Sequence, residues 1–234
     1  MGRTISLSLN EDVKGDAVQF IATYVIAHEG FHFWNGRWGG QNKSAGELEW
    51  LSEGFAEYYA MLISRRLGLV DNEAFLGFLA ERRDAYVAAL ASGDSISSAA
   101  TTKHSKPTSY DLIYNGGLMA AVVMDLEIRA ATGGEKSLDD VVRAIHADFT
   151  DSPVALDMRA LQKIVKRETG VNFDSLFRRN IRGTEPLDLA GALAKAGLLL
   201  QVEATDDGPA AQIARATSPT LEQAALYQGL VSGE

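Results

Sequence analysis

A mainly α fold with a short N-terminal strand is what this sequence predicts, on three observations. Apolar residues recur at helical spacing through most of the chain, period-two alternation is confined to short stretches, and Gly or Pro separates the periodic segments. Taken in order, Thr4 to Leu9 alternates Ile5, Leu7 and Leu9 with Thr and Ser, which predicts one strand. From about Asp16 the residues Val18, Ile21, Ala22, Val25 and Ile26 recur at helical spacing and carry a helix into His28–His32. A Gly-rich loop spans Asn35 to Asn42. Helices follow from about Ala45 to Leu67 and from Glu73 to about Ala91, each ended near a glycine, Gly68 or Gly93. The polar run Ser92–Ser109 reads as a surface loop placed to overhang a site. Further helices are predicted at Tyr110–Ala131, Ser137–Phe149, Ala155–Thr169, Phe173–Ile181 and Asp188–Ala196, with Leu198–Glu203 a strand. After Ala204 the composition turns to Asp, Gly, Pro and Ala, and one short helix, Leu221–Leu230, lies beyond. The expected organisation is a strand and linker over 1–15, a helical domain over 16–203 and a C-terminal extension over 204–234. No internal repeat is visible.

Composition sets limits on function. Hydrophobic residues at 46% and charged residues at 23% are globular values, which exclude a disordered acidic tail, a collagen-like repeat and a coiled coil. Acidic residues outnumber basic ones, 31 against 22, so the net charge of -9 repels phosphate backbones and argues against a nucleic-acid partner. There are no cysteines, so any metal must be held by His, Asp and Glu. No stretch reaches the roughly 18 apolar residues of a membrane span, and the first ten residues lack a signal-peptide core, so a soluble chain is expected. The compartment stays open, cytoplasmic or, for a fragment of a longer protein, periplasmic or secreted. Oligomeric state is not legible.

The segment that carries chemistry is His28-Glu29-Gly30-Phe31-His32. Positions four apart on a helix lie one above the other, so both imidazoles can share one cation. Glu29 sits about 100° around from His28, too far to be a ligand but able to face a metal-bound water. With only four histidines in the chain, chance produces such a pattern with a probability on the order of a few per thousand. The flanking Tyr24, Val25, Ile26, Phe31, Phe33 and Trp34 also argue against two solvated surface histidines, because a partly buried imidazole needs a partner. Catalytic zinc usually has three protein ligands, and Glu53 in the Trp50–Tyr59 helix is the leading candidate for the third. A loop through Gly36, Gly39 and Gly40 can return the chain for this. Glu57, one turn later, is placed to accept from the distal nitrogen of a liganding imidazole, or is a solvated carboxylate.

HEGFHFWNG followed by WLSEGFAEYYA resembles the glycyl aminopeptidase family of zinc metallopeptidases, relatives of the larger alanyl aminopeptidases and, more distantly, of thermolysin. The similarity continues in IYNGGLMAAVVMDLEIRAATGGEKSLDDVVRAI and FRRNIRGTEPLDLAGALAKAGL, so it spans about Val18 to Leu200. It implies the helical part of a thermolysin-like (gluzincin) catalytic domain that hydrolyses peptide bonds in a peptide or protein substrate. It implies one zinc ion held by His28, His32 and Glu53, with Glu29 as catalytic base and Glu57 accepting from a liganding histidine. In the family a tyrosine opening a Tyr-x-Lys-Gly segment donates to the developing oxyanion. The matching stretch is Tyr114-Asn115-Gly116-Gly117, so Tyr114 takes that role, or is a core tyrosine, while Gly116 replaces the lysine.

A second departure concerns the region before the zinc helix. The family places a large β-structured region there, including a segment that holds the substrate's free amine, whereas only about fifteen residues precede the helix here. The expectation is either a fragment of a longer protein or a reduced form missing one wall of the cleft. A rival reading follows, a non-catalytic helical scaffold that keeps zinc for stability or partner binding. His104 and His146 lack ligand spacing, and Arg65-Arg66, Arg82-Arg83 and Arg178-Arg179 read as helix surfaces. Trp34, Trp38 and Trp50 read as core, with Trp38 the one placed to line a cleft.

Overall fold

The computed structural model describes residues 15–36, 38, 45–102, 108–150, 152–206 and 208–233. The strand read at Thr4–Leu9, His104 and the Gly-rich loop apart from residues 35, 36 and 38 lie outside the described residues.

The chain is mainly helical. Helix α1 (Asp16–Asn35) carries the two motif histidines, and a 3₁₀ turn (Ala45–Leu48) leads into α2 (Glu49–Arg66). Gly68 in left-handed backbone (φ 72) reverses the chain, and the Asp71 carboxylate accepts from Ala74 N to start α3 (Asn72–Leu90). A short α4 (Ile96–Thr102) precedes a π-helical turn (Asp111–Asn115) that runs into α5 (Gly116–Ala131). Then come α6 (Leu138–Phe149), α7 (Met158–Thr169), α8 (Asp174–Leu176) with a second π-helical turn (Phe177–Ile181), and α9 (Leu189–Lys195). The chain ends in strands β1 (Leu198–Thr205) and β2 (Gly208–Arg215), followed by α10 (Leu221–Ser232).

Two expectations change. Within Ser92–Ser109, read as a surface loop, residues 96–102 form a helix. Ser95 and Ser98 cap each other, each hydroxyl accepting from the other's backbone N–H at 3.0 and 2.9 Å, and Ile96, Ala99 and Ala100 are buried at helical spacing. The serines that look like loop composition act here as caps. The strand at Leu198 continues to Thr205 and pairs antiparallel with β2, Leu198 facing Arg215 and Thr205 facing Gly208. The change of composition after Ala204 therefore falls at the turn of a hairpin. That hairpin lies against α3, where the Asp84 carboxylate accepts from Ala211 N at 2.6 Å.

Helix α5 is the axis of the molecule. Every residue from Asn115 to Leu126 is buried, as expected for a helix that is apolar on all sides and surrounded by others. Helices α2, α3, α6, α9 and α10 pack around it. Its one buried acid, Asp125, is fully partnered: it accepts from Tyr58 Oη at 2.8 Å, Arg129 Nε at 2.8 Å and Leu138 N at 2.7 Å, tying α2, α5 and the start of α6 together.

The crossing of α2 and α5 depends on two glycines. A methyl group on Gly54 would stand 2.2 Å from the Gly117 carbonyl carbon, and one on Gly117 would stand 2.2 Å from the Trp50 carbonyl oxygen. The two backbones touch directly, which fixes Glu53 on α2 relative to the π-helical turn before α5.

Candidate metal centre

The site is built from α1, α2 and the π-helical turn. Helix α1 packs along α2, so the imidazoles of His28 and His32 project toward Glu53 and Glu57, which are themselves one turn apart. His28 Nε2 lies 3.2 Å from His32 Nε2, and Glu53 Oε2 lies 3.4 and 3.3 Å from these two nitrogens. Ligands about 2.05 Å from a tetrahedral ion are separated by about 3.3 Å, so the three atoms have the spacing of one face of a tetrahedron. They form the one group among the described residues with metal-ligand geometry. Donor chemistry and spacing both fit zinc.

A second layer orients these donors. Glu57 Oε1 stands 3.1 Å from His28 Nδ1, at ion-pair distance though off the axis of a well-formed hydrogen bond. Tyr24, one turn before His28, donates through its hydroxyl to the other Glu57 oxygen. Asn35 Oδ1 lies 3.1 Å from His32 Nδ1, while its amide donates to the Ser52 carbonyl of α2 at 2.9 Å. Acceptors on the Nδ1 side turn the Nε2 lone pairs toward the shared centre. The sequence reading found Glu57 but missed Tyr24 and Asn35. The signal was there: both lie three or four positions from a motif histidine, on the same face of α1.

The electrostatics follow from the crowding of these four ionisable groups. Burial opposes charge on His28, yet hydrogen bonding and attraction from Glu53 and Glu57 outweigh it and raise its pKa from 6.5 to about 9. His32 is raised in the same way, burial again opposing and Glu53 prevailing. Burial would raise Glu53, but its two imidazole partners lower it from 4.5 to about 2. Burial and the charge of Glu53 push the Tyr114 phenol well up, and that phenol hydrogen-bonds to Glu53.

Tyr114 lies in the π-helical turn, its ring parallel to the His28 ring with centroids 6.3 Å apart. Tyr110, four residues earlier, stacks on Tyr114 with rings 4.2 Å apart, and π-helical turns of this kind are frequent at functional sites. Gly116, where the resemblance leads one to expect a lysine, is tightly enclosed: a methyl group there would meet Ile96 Cγ1 at 2.9 Å and Tyr86 Cδ2 at 3.2 Å, so those side chains would have to shift. Glu29 is exposed on α1, next to His28 in sequence. Trp38 is core, 3% exposed, so it does not line a cleft. A cavity of about 410 Å³ between α1, α2 and α6, reached by Phe31 and Trp34, shares no residue with the donor set.

Residues 22–115 match the model of the M61 glycyl aminopeptidase family. The match bears out the likeness read from the motifs over this segment, which runs from α1 to the π-helical turn and includes every candidate site residue from His28 to Tyr114. The fold is similar to the crystal structure of an aminopeptidase N family protein from Idiomarina loihiensis, with a TM-score of 0.70 and 17% identity. That similarity covers 87% of this chain and 37% of the other, so the chain spans little more than a third of that protein's length. At this identity it speaks for the fold alone, a mainly α aminopeptidase-like arrangement. No curated protein matches the sequence. No helix among the described residues is long and apolar enough to cross a membrane.

Proposed function

We propose that this chain is the helical part of a zinc metallopeptidase active site and that it hydrolyses peptide bonds, with aminopeptidase action following from the family it resembles. The observation that carries the reading is the triangle of His28 Nε2, His32 Nε2 and Glu53 Oε2, with edges of 3.2 to 3.4 Å. It leaves the fourth tetrahedral position without a protein ligand among the described residues, the pattern of a catalytic site. Zinc bound there supplies Lewis acidity, making a water acidic near neutral pH and polarising a carbonyl.

The residues of the chain do the rest. His28, His32 and Glu53 hold the ion, and Glu57 and Asn35 fix the two imidazoles in orientation. Glu29, exposed and next to His28 in sequence, takes the proton of the attacking water and delivers it to the leaving amine. Tyr114, freed from its bond to Glu53 once that carboxylate is engaged, donates its hydroxyl proton in a hydrogen bond to the carbonyl oxygen as charge develops there.

The test is Glu29→Gln. It is expected to retain stoichiometric zinc by metal analysis while peptide turnover falls by about 10²- to 10⁴-fold. A variant that cleaves a peptide library as fast as the parent would show that the base lies elsewhere. Stoichiometric zinc in the parent with no cleavage at all would favour the rival scaffold.

A further inference from the structure

The cavity of about 410 Å³ between α1, α2 and α6 has a chemistry of its own. Its walls include the apolar side chains of Ala27, Phe31, Trp34, Ile63 and Val142. Small-molecule sites are built this way, at this scale of volume, mostly apolar with a few polar groups that fix the ligand's orientation. On α1 the residues Ala27, Phe31 and Trp34 share one face, about 100° around the helix from His28 and His32. The walls are fixed by contacts of their own. Phe31 stacks on Tyr59 with rings 5.1 Å apart, the Tyr59 hydroxyl donates to Asp139 Oδ1 at 2.8 Å, and Trp34 stacks on His146 at 5.0 Å.

Part of the lining is charged, and the charges do not balance. Arg66, Arg143 and Asp139 line the cavity, two guanidiniums to one carboxylate, in a chain whose net charge is -9. Asp139 Oδ1 is taken by Tyr59, and Asp139 Oδ2 stands 3.9 Å from Arg66 Nη1 and 3.9 Å from Arg143 Nη2, beyond hydrogen-bond length at both. Arg66 Nη2 donates to the Leu230 carbonyl at 3.3 Å, and Arg143 Nη1 comes no nearer to Asp140 than 3.8 Å. The Arg143 side chain is 68% exposed and that of Arg66 22%, so both are reached from solvent. Guanidiniums held at such long range keep donors for an anion, and the anion that matches their planar fork is a carboxylate.

We propose that this cavity is a binding site for a small aliphatic monocarboxylate, with the hydrocarbon chain among Phe31, Ile63 and Val142 and the carboxylate between Arg66 and Arg143. The site is separate from the metal centre and does not rest on the peptidase reading. Both halves of the ligand are needed. Each methylene taken up by the apolar wall tightens binding by about fourfold, so a longer chain is preferred until the cavity is full. A neutral head leaves the two guanidiniums without the added acceptor, and a cationic head is repelled by them.

The experiment titrates octanoate, hexanoate, 1-octanol and octylamine calorimetrically into the full chain, once in chelator and once loaded with zinc. Octanoate is expected to saturate a single site in both conditions, about tenfold or more tighter than hexanoate and tighter than the alcohol and the amine by a similar factor. Two variants separate the head from the chain. Arg143→Gln, at an exposed position, should weaken octanoate by about tenfold while leaving 1-octanol unchanged. Gly30 lines the cavity and a methyl there would meet nothing within 4 Å, so Gly30→Phe fills the space without a clash and should weaken octanoate and 1-octanol alike by tenfold or more. Binding that appears only with zinc puts the carboxylate on the metal and overturns the cavity site. So does the absence of saturable binding, equal affinity for octanoate, the alcohol and the amine, or an octanoate affinity that either variant leaves unchanged.

Discussion

Replacing Gly54 by alanine tests the feature on which the site's geometry rests. The added methyl would lie 2.2 Å from the Gly117 carbonyl carbon, 2.3 Å from its Cα and 2.6 Å from Leu118 N. Carbon atoms in contact settle near 3.5 to 4.0 Å, so α2 and α5 must part by more than about 1 Å. The obstacle is backbone, which cannot rotate aside as a side chain can. The cost should lie at the upper end of the overpacking range, about 3 kcal/mol. For a chain of this size that is a melting temperature lower by about 6 to 12 °C. Because Glu53 is the preceding residue, its carboxylate moves away from the imidazoles, and zinc affinity should drop by about tenfold or more, a loss of about 1.4 kcal/mol. Thermal melts in chelator and a zinc competition titration measure the two effects separately. Gly77→Ala is the control: Gly77 is an exposed interior position of α3 with nothing within 4 Å of a new methyl, so alanine should stabilise by about 0.5 to 1 kcal/mol. A Gly54→Ala protein melting within a degree of the parent would refute the backbone contact. One that is destabilised but binds zinc unchanged would refute its link to the site.

Three further outcomes are expected. Because His28 is raised to about 9 and Glu53 lowered to about 2, the metal-free chain gains stability from His28 fully below 6.5, lost as pH rises through 9, and from Glu53 fully above 4.5, lost as pH falls through 2. Zinc must displace the His28 proton, so its affinity should climb about tenfold per pH unit from 7 to 9 in a chelator competition, and a flat profile would count against the pairing. Asp125→Ala removes the partner of Arg129, which is 4% exposed, and should cost about 3 to 5 kcal/mol in urea denaturation. A loss under about 1 kcal/mol would mean that water reaches the guanidinium instead.

Much of this protein is legible in its linear order because the governing rules are local. Helical periodicity, the Asp157 and Ser137 caps and the terminating Gly170 mark α6 and α7 without reference to the rest of the chain. The spacing of His28 and His32 already places two nitrogens on one helix face, and the motifs around them carry the resemblance to the glycyl aminopeptidase family that residues 22–115 match. Where local composition misled, a longer-range term decided. The serines of 92–109 look like loop until Ile96 and Ala100 find a core to enter, and the second strand, β2, is stable only because β1 and Asp84 satisfy its backbone.

What tertiary structure alone decided is convergence. Nothing in the order of residues shows that Tyr24 reaches Glu57 or that Asn35 bridges His32 to Ser52. Those relations depend on the distance and angle at which helices pack, and that is set by the contact of Gly54 with Gly117 and by the surrounding core. A sequence carries the chemistry of each side chain; only close packing determines which of them share a volume a few ångströms wide.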